Sequence, residues 1–132
     1  LRRYPEAEVL PGLVVYRFDA PLIFANARMF SEAIRGLADR TQDLRWIVLA
    51  AEPITDVDTT AADMLQDLDE WLNERNVSLV FAELKDPVRE KIERYDLTST
   101  IDPDHFFPTL DAAVEAYVQE TGATWQPRST QT

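Results

Sequence analysis

Along the chain, short apolar runs alternate with stretches in which apolar residues recur every three or four positions. The runs are strand-sized, and the recurring spacing places apolar side chains on one face of a helix. Residues 9–18 (V-L-P-G-L-V-V-Y-R-F) are β-branched and aromatic, and the Pro11-Gly12 interruption predicts an edge strand or a bulge. Asp19-Ala20-Pro21 turns the chain, and residues 22–25 (L-I-F-A) predict the returning strand of a hairpin. Asn26 then caps a predicted helix with Ala27, Phe30, Ile34 and Leu37 on one face. Residues 45–51 are a continuous apolar run, the mark of a strand buried on both sides.

A broad apolar stripe of Ala61, Met64, Leu65, Leu68, Trp71 and Leu72 predicts the next helix, with Asn76 as its stop. Residues 77–82 (V-S-L-V-F-A) predict a second buried strand. Asp86-Pro87 supplies a cap and a proline at the start of a helix that turns Val88, Ile92 and Tyr95 inward. Phe106-Phe107 makes a short last strand, Thr109 caps a final helix through Val118, and Gly122 ends it. Alternating strands and helices after a first hairpin predict one α/β domain with about four helices. Its sheet is expected to be mixed and largely parallel. The expected boundaries are a linker over residues 1–7, the domain over 8–121 and a flexible polar tail over 122–132.

Charge narrows the partners. Thirteen basic residues against 24 acidic ones leave a net charge of −11. Such a surface repels phosphate backbones, so nucleic acid is excluded as a partner. The absence of cysteine removes disulfides, thiolate metal sites and cysteine nucleophiles. No apolar run reaches the ~18–20 residues of a membrane span, and no leader-like segment is visible. The chain opens Leu1-Arg2-Arg3 without a methionine, which suggests a piece of a longer protein.

Most catalytic chemistry is missing. With three glycines, neither the dinucleotide fingerprint nor the P-loop can be written. The single histidine, His105, has no second histidine for a metal pair and reads as structural or surface. Asp67, Asp69, Glu70 and Glu74 read as the solvated face of a helix. Asp56 and Asp58, one residue apart in an extended loop, point the same way, and a hard cation would need at least two further ligands there. No enzyme is expected and no cofactor or metal is required.

Three segments together resemble a known family: R17-F-D-A-P-L-I-F-A-N-A27, then W46-I-V-L-A-A51 running into I54-T-D-V-D-T-T-A61, and N76-V-S-L-V-F-A82 before D86-P-V-R-E89. They resemble the STAS domain, the C-terminal cytoplasmic domain of sulfate permease (SulP) family anion transporters, whose fold recurs in bacterial anti-sigma-factor antagonists. The resemblance covers roughly residues 6 to 120 and implies a STAS-type fold. It implies a regulatory or interaction domain on the cytoplasmic face of the cell membrane, outside the permeation path of a sulfate or other inorganic anion transporter. The implied partners are the transporter's own transmembrane domain and a second copy in a homodimer, with a regulatory protein or a nucleotide as further ligand. Arg2-Arg3 suits a juxtamembrane position.

The resemblance also singles out a loop. In the antagonist branch it reads Asp-Ser-Ser-Gly, and its first serine is phosphorylated. Asp58 here takes the aspartate place, Thr59 the acceptor place and Thr60 the next, with Ala61 in place of glycine. The alternative function is thus a free-standing antagonist-like adaptor switched by phosphorylation at Thr59. Helix capping by Asp58 or Thr60 explains the same residues, at about 1 kcal/mol. A phosphate on Thr59 would gain about 0.3–1 kcal/mol from the helix dipole. Each repulsion from Asp56, Asp58 or Asp63 at ~6 Å costs from about 0.7 kcal/mol in water to about 3 kcal/mol at an effective dielectric of 20. Repulsion wins, so a phosphate would loosen the loop. Asp56, Asp58, Thr59 and Thr60, with Phe24 and Asn26 as neighbours, form the candidate partner or ligand loop. Weak guanine or adenine nucleotide binding is expected there through helix-end amides.

Overall fold

A computed structural model describes residues 8–96 and 101–127. In chain order the elements are β1 (Glu8–Val9), β2 (Leu13–Arg17), α1 (Phe24–Arg40), β3 (Trp46–Ala50), α2 (Thr59–Asn73) and β4 (Ser78–Ala82). They continue with α3 (Asp86–Arg94), a 3-10 turn (Pro103–His105), β5 (Phe106–Phe107), α4 (Leu110–Thr121) and β6 (Gln126–Pro127). Strands β2-β3-β4-β5 form one sheet in that order, every neighbour parallel.

Helices cover both sides of this sheet, which is why β3 and β4 are almost wholly apolar. Ile47, Leu49, Leu79 and Phe81 point to the side of α1, α2 and α3, where they join Phe30, Ile34, Leu65, Leu68 and Ile92 in the larger core. Trp46, Val48, Val80 and Ala82 point the opposite way, against Ala113, Val114 and Tyr117 of α4. Burial of each large aliphatic or aromatic side chain contributes roughly 1.5–3 kcal/mol, so the two-sided sheet is the main source of stability. Predicted caps and terminators act as expected. Asn76 takes a left-handed φ of 60° after α2, Thr109 Oγ1 accepts from Ala112 N at 3.0 Å, and Gly122 closes α4 at φ 71°.

The predicted α/β class and the four helices hold, but the main sheet is wholly parallel rather than mixed, because the N-terminal hairpin does not form. Residues 22–25 are not a strand: only Leu22 bridges, parallel to Val57, and α1 already begins at Phe24. A four-residue apolar run suits strand or helix equally. Here the helix wins because its first amides are satisfied: Asn26 Oδ1 accepts from Ile23 N at 3.0 Å and Asp58 Oδ2 from Phe24 N at 2.9 Å. Antiparallel pairing occurs instead between β1 and β6, a separate two-stranded ribbon. Pro11-Gly12 is the turn between β1 and β2, with Gly12 at φ 86°, and β2 is an edge strand.

Three further expectations change. The tail predicted to be flexible from residue 122 is held as far as Pro127, because Ala123 and Trp125 pack on the α4 side and β6 pairs with β1. Asp69, read as solvated, is 2% exposed and accepts from Asn73 Nδ2 at 3.2 Å. Helix α3 is capped at Lys85, one residue before the Asp86 expected. The linker over residues 1–7 and residues 128–132 lie outside the described residues.

Candidate functional site

Parallel strands deliver their loops to one edge of the sheet, and the 51–58 loop leaves β3 there. Its apolar residues Ile54 and Val57, each 1% exposed, are pulled into the core. The polar residues between them are thereby turned outward. Ala51 N donates to Ala82 O of β4 at 2.8 Å, and the loop's far end is stitched to the start of α1. There, Leu22 N donates to Asp56 O at 2.9 Å and Asp58 N to Leu22 O at 3.1 Å.

Asp58 caps two helices at once. Its Oδ1 accepts from Ala61 N of α2 at 2.9 Å, and its Oδ2 accepts from Phe24 N of α1 at 2.9 Å. The cap predicted from Asp58's place before α2 is present. The reach to α1, 34 residues back, was not legible in the spacing. Asn26 completes the arrangement: its Oδ1 takes Ile23 N, and its Nδ2 donates to Pro21 O at 2.8 Å. Both Asn26 and Asp58 are thus occupied in holding helix ends.

Thr59 and Thr60, the first two residues of α2, are exposed. Phe24 is exposed to 73% and stands over a groove of about 320 Å³ between α1 and α2, whose walls include Thr60, Arg28, Arg35 and Met64. Phe24, Asn26, Asp58, Thr59 and Thr60 therefore meet around two adjoining helix starts. Asp56 does not join them. Its carboxylate accepts from Val57 N at 2.9 Å and from Lys91 Nζ of α3. The two aspartates expected to point together serve different neighbours. Among the described residues no group of three or more His, Asp or Glu could hold a metal ion.

The Lys91 ammonium holds the Asp56 carboxyl below its usual range, against a smaller opposing effect of burial, and Asp56 in turn raises Lys91. Lys85 Nζ donates to Glu52 O at 2.6 Å at the loop's other end. Both lysines were missed in the sequence. The available signal was their rarity, because Lys85 and Lys91 are the chain's two lysines. Glu83 was missed too: it takes φ 63° just after β4, donates from its N to Phe107 O and accepts from Leu110 N, which ties β5 and α4 to this edge.

The family model described as STAS domain matches residues 4–113. The chain belongs to the STAS domain family. This STAS domain is 42% identical over 115 residues to a probable sulfate transporter of Mycobacterium tuberculosis, covering 86% of the chain and 20% of that relative. It is 31% identical over 132 residues to high affinity sulfate transporter 2 of Stylosanthes hamata, covering 93% and 20%. The chain spans about a fifth of the length of these relatives. Its fold matches the SulP transporter STAS domain from Vibrio cholerae with a TM-score of 0.71 at 18% identity, over 91% of this chain and 88% of that one. It matches a putative anti-sigma factor antagonist from Thermotoga maritima with a TM-score of 0.66 at 13% identity, over 80% and 86%. These two likenesses concern the fold. In this STAS domain the candidate loop is the β3–α2 junction, with α3 and the start of α1 on its flanks.

Proposed function

We propose that this STAS domain is the regulatory and interaction domain of a membrane sulfate transporter, placed on the cytoplasmic face and outside the permeation path. The observation that carries the reading is 42% identity across 86% of the chain to a probable sulfate transporter. It agrees with the described helices, none of which is long and apolar enough to cross a membrane. The domain acts by contact: its partners are the transporter's transmembrane part, a second copy in a homodimer, and a regulatory protein or nucleotide at the Asp56–Asp58–Thr59–Thr60 loop. It performs no catalysis. Exposed Phe24, Thr59 and Thr60 beside two helix starts support docking at this edge.

Labelled sulfate uptake by cells making the parent protein, with and without residues 8–127, tests the reading. Uptake should require the domain or change in rate without it. A parent frame with no hydrophobic spans would overturn the proposal. For the loop, adding ATP or GTP should shift the amide resonances of Phe24, Thr59 and Thr60. Unmoved resonances would leave a protein partner as the loop's ligand.

A second reading is an adaptor switched by phosphate on Thr59, which is exposed beside Asp58. The phosphate would face a carboxylate already committed to two amides, so repulsion would loosen both helix starts. Kinase labelling followed by mass spectrometry should give one phosphate that disappears in Thr59→Ala. A label that persists in that variant removes this reading.

A further inference from the structure

In a chain with 24 acidic residues and two lysines, both lysines reach the same loop. Lys85 stands at the N-cap of α3 and Lys91 in its last turn. Lys85 Nζ donates to the backbone carbonyl of Glu52 at 2.6 Å and lies 3.8 Å from its carboxylate. Lys91 Nζ takes the Asp56 carboxylate. The two contacts fall at opposite ends of the segment 52–56 and come from α3 and its N-cap.

Asp56 is the junction. Its side chain faces α3 through Lys91, while its backbone carbonyl accepts from Leu22 N. Two residues on, Asp58 returns its own N–H to Leu22 O and spreads its carboxylate over Phe24 N and Ala61 N. A displacement of Asp56 therefore pulls on the one carboxylate shared by α1 and α2. We infer that Lys91, assisted by Lys85, is a positioning residue whose charge locks the 52–58 loop onto α3 and so keeps Asp58 capping both helices. Neutralising the lysine releases the loop and loosens the starts of α1 and α2 together, while the sheet stays folded. The lock concerns the loop itself and does not depend on which partner meets it.

Amide hydrogen exchange on the full chain, read by NMR, tests this. In Lys91→Met, exchange at Leu22, Phe24, Asp58 and Ala61 should rise together by up to about fivefold, while Val48 and Val80 of the central strands keep their protection. Lys91→Arg, which keeps the charge, should stay close to the parent. Chemistry on the unmutated protein gives an independent arm: acetylation, which removes lysine charge, should reproduce Lys91→Met, and reductive dimethylation, which retains it, should not. The inference is overturned if Lys91→Met leaves those amides protected or if Lys91→Arg loosens them equally. It is also overturned if exchange rises in β3 and β4 alongside the loop, or if acetylation and dimethylation act alike.

Discussion

Asp58 is the residue on which the candidate edge turns, because one carboxylate satisfies the first amides of two helices. Each cap of this kind stabilises by about 1 kcal/mol, so Asp58→Ala should lower unfolding stability by about 2 kcal/mol in urea titrations. Asn keeps one acceptor oxygen, and Asp58→Asn should fall between the two. Asp56 gives a pH signature. Its folded pKa lies below the ordinary carboxylate value, so its contribution is complete above about pH 4 and fades as pH falls through the lower folded value. Lys91 is raised, so its side of the pair persists below the ordinary lysine value near 10.4 and is lost as pH rises through the folded one. The pair is therefore intact from about pH 4 to about pH 10. In Lys91→Met, the Asp56 carboxyl resonance should titrate at a higher pH than in the parent. Of these roles, only Asp58's capping of its own helix was legible. A bond to Phe24 or Lys91 depends on how distant elements pack, and local spacing carries no record of it.

At the scale of elements, the long periodic patterns form the helices and strands they predict. The apolar stripe of α2 and the runs of β3 and β4 each admit one arrangement that buries them. The short run L-I-F-A did not, because its fate was decided by acceptors on Asn26 and on Asp58 of another segment. Asp69 leaves the solvated face for a related reason. It lies on the stripe's flank, where the approach of neighbouring elements, absent from the sequence pattern, takes it out of water. The weight of α2 in the fold can be measured: Leu65 has no exposed surface, and Leu65→Ala should cost about 2–5 kcal/mol by calorimetry or urea titration. Asp67→Ala on the exposed face should change stability by less than about 0.5 kcal/mol.

At the scale of the molecule, α4 fastens the opposite side of the sheet to the turn between β1 and β2. Tyr117, 1% exposed, packs edge-on to Trp46 and donates its hydroxyl hydrogen to Pro11 O, across 106 residues. Tyr117→Phe leaves that carbonyl without this donor and should cost about 1 kcal/mol in urea titrations. Gly12 beside it cannot carry a side chain: its φ is 86°, and a Cβ would stand 2.3 Å from the Tyr117 hydroxyl oxygen. The overall architecture was legible because alternation of strand and helix fixes a parallel sheet. The β1–β6 ribbon was not, since two-residue strands leave no periodic trace.

That ribbon has a topological consequence. Glu8 pairs with Pro127, so the ends of the described fold stand about 5 Å apart, one strand spacing. A few glycine and serine residues joining 127 to 8 would close the chain into a ring, which could be reopened in the turn between α1 and β3 at residues 42 and 43. Such a permuted chain should fold to the same far-ultraviolet circular dichroism spectrum, and the same geometry lets the domain be spliced as a cassette into a surface loop of an unrelated host.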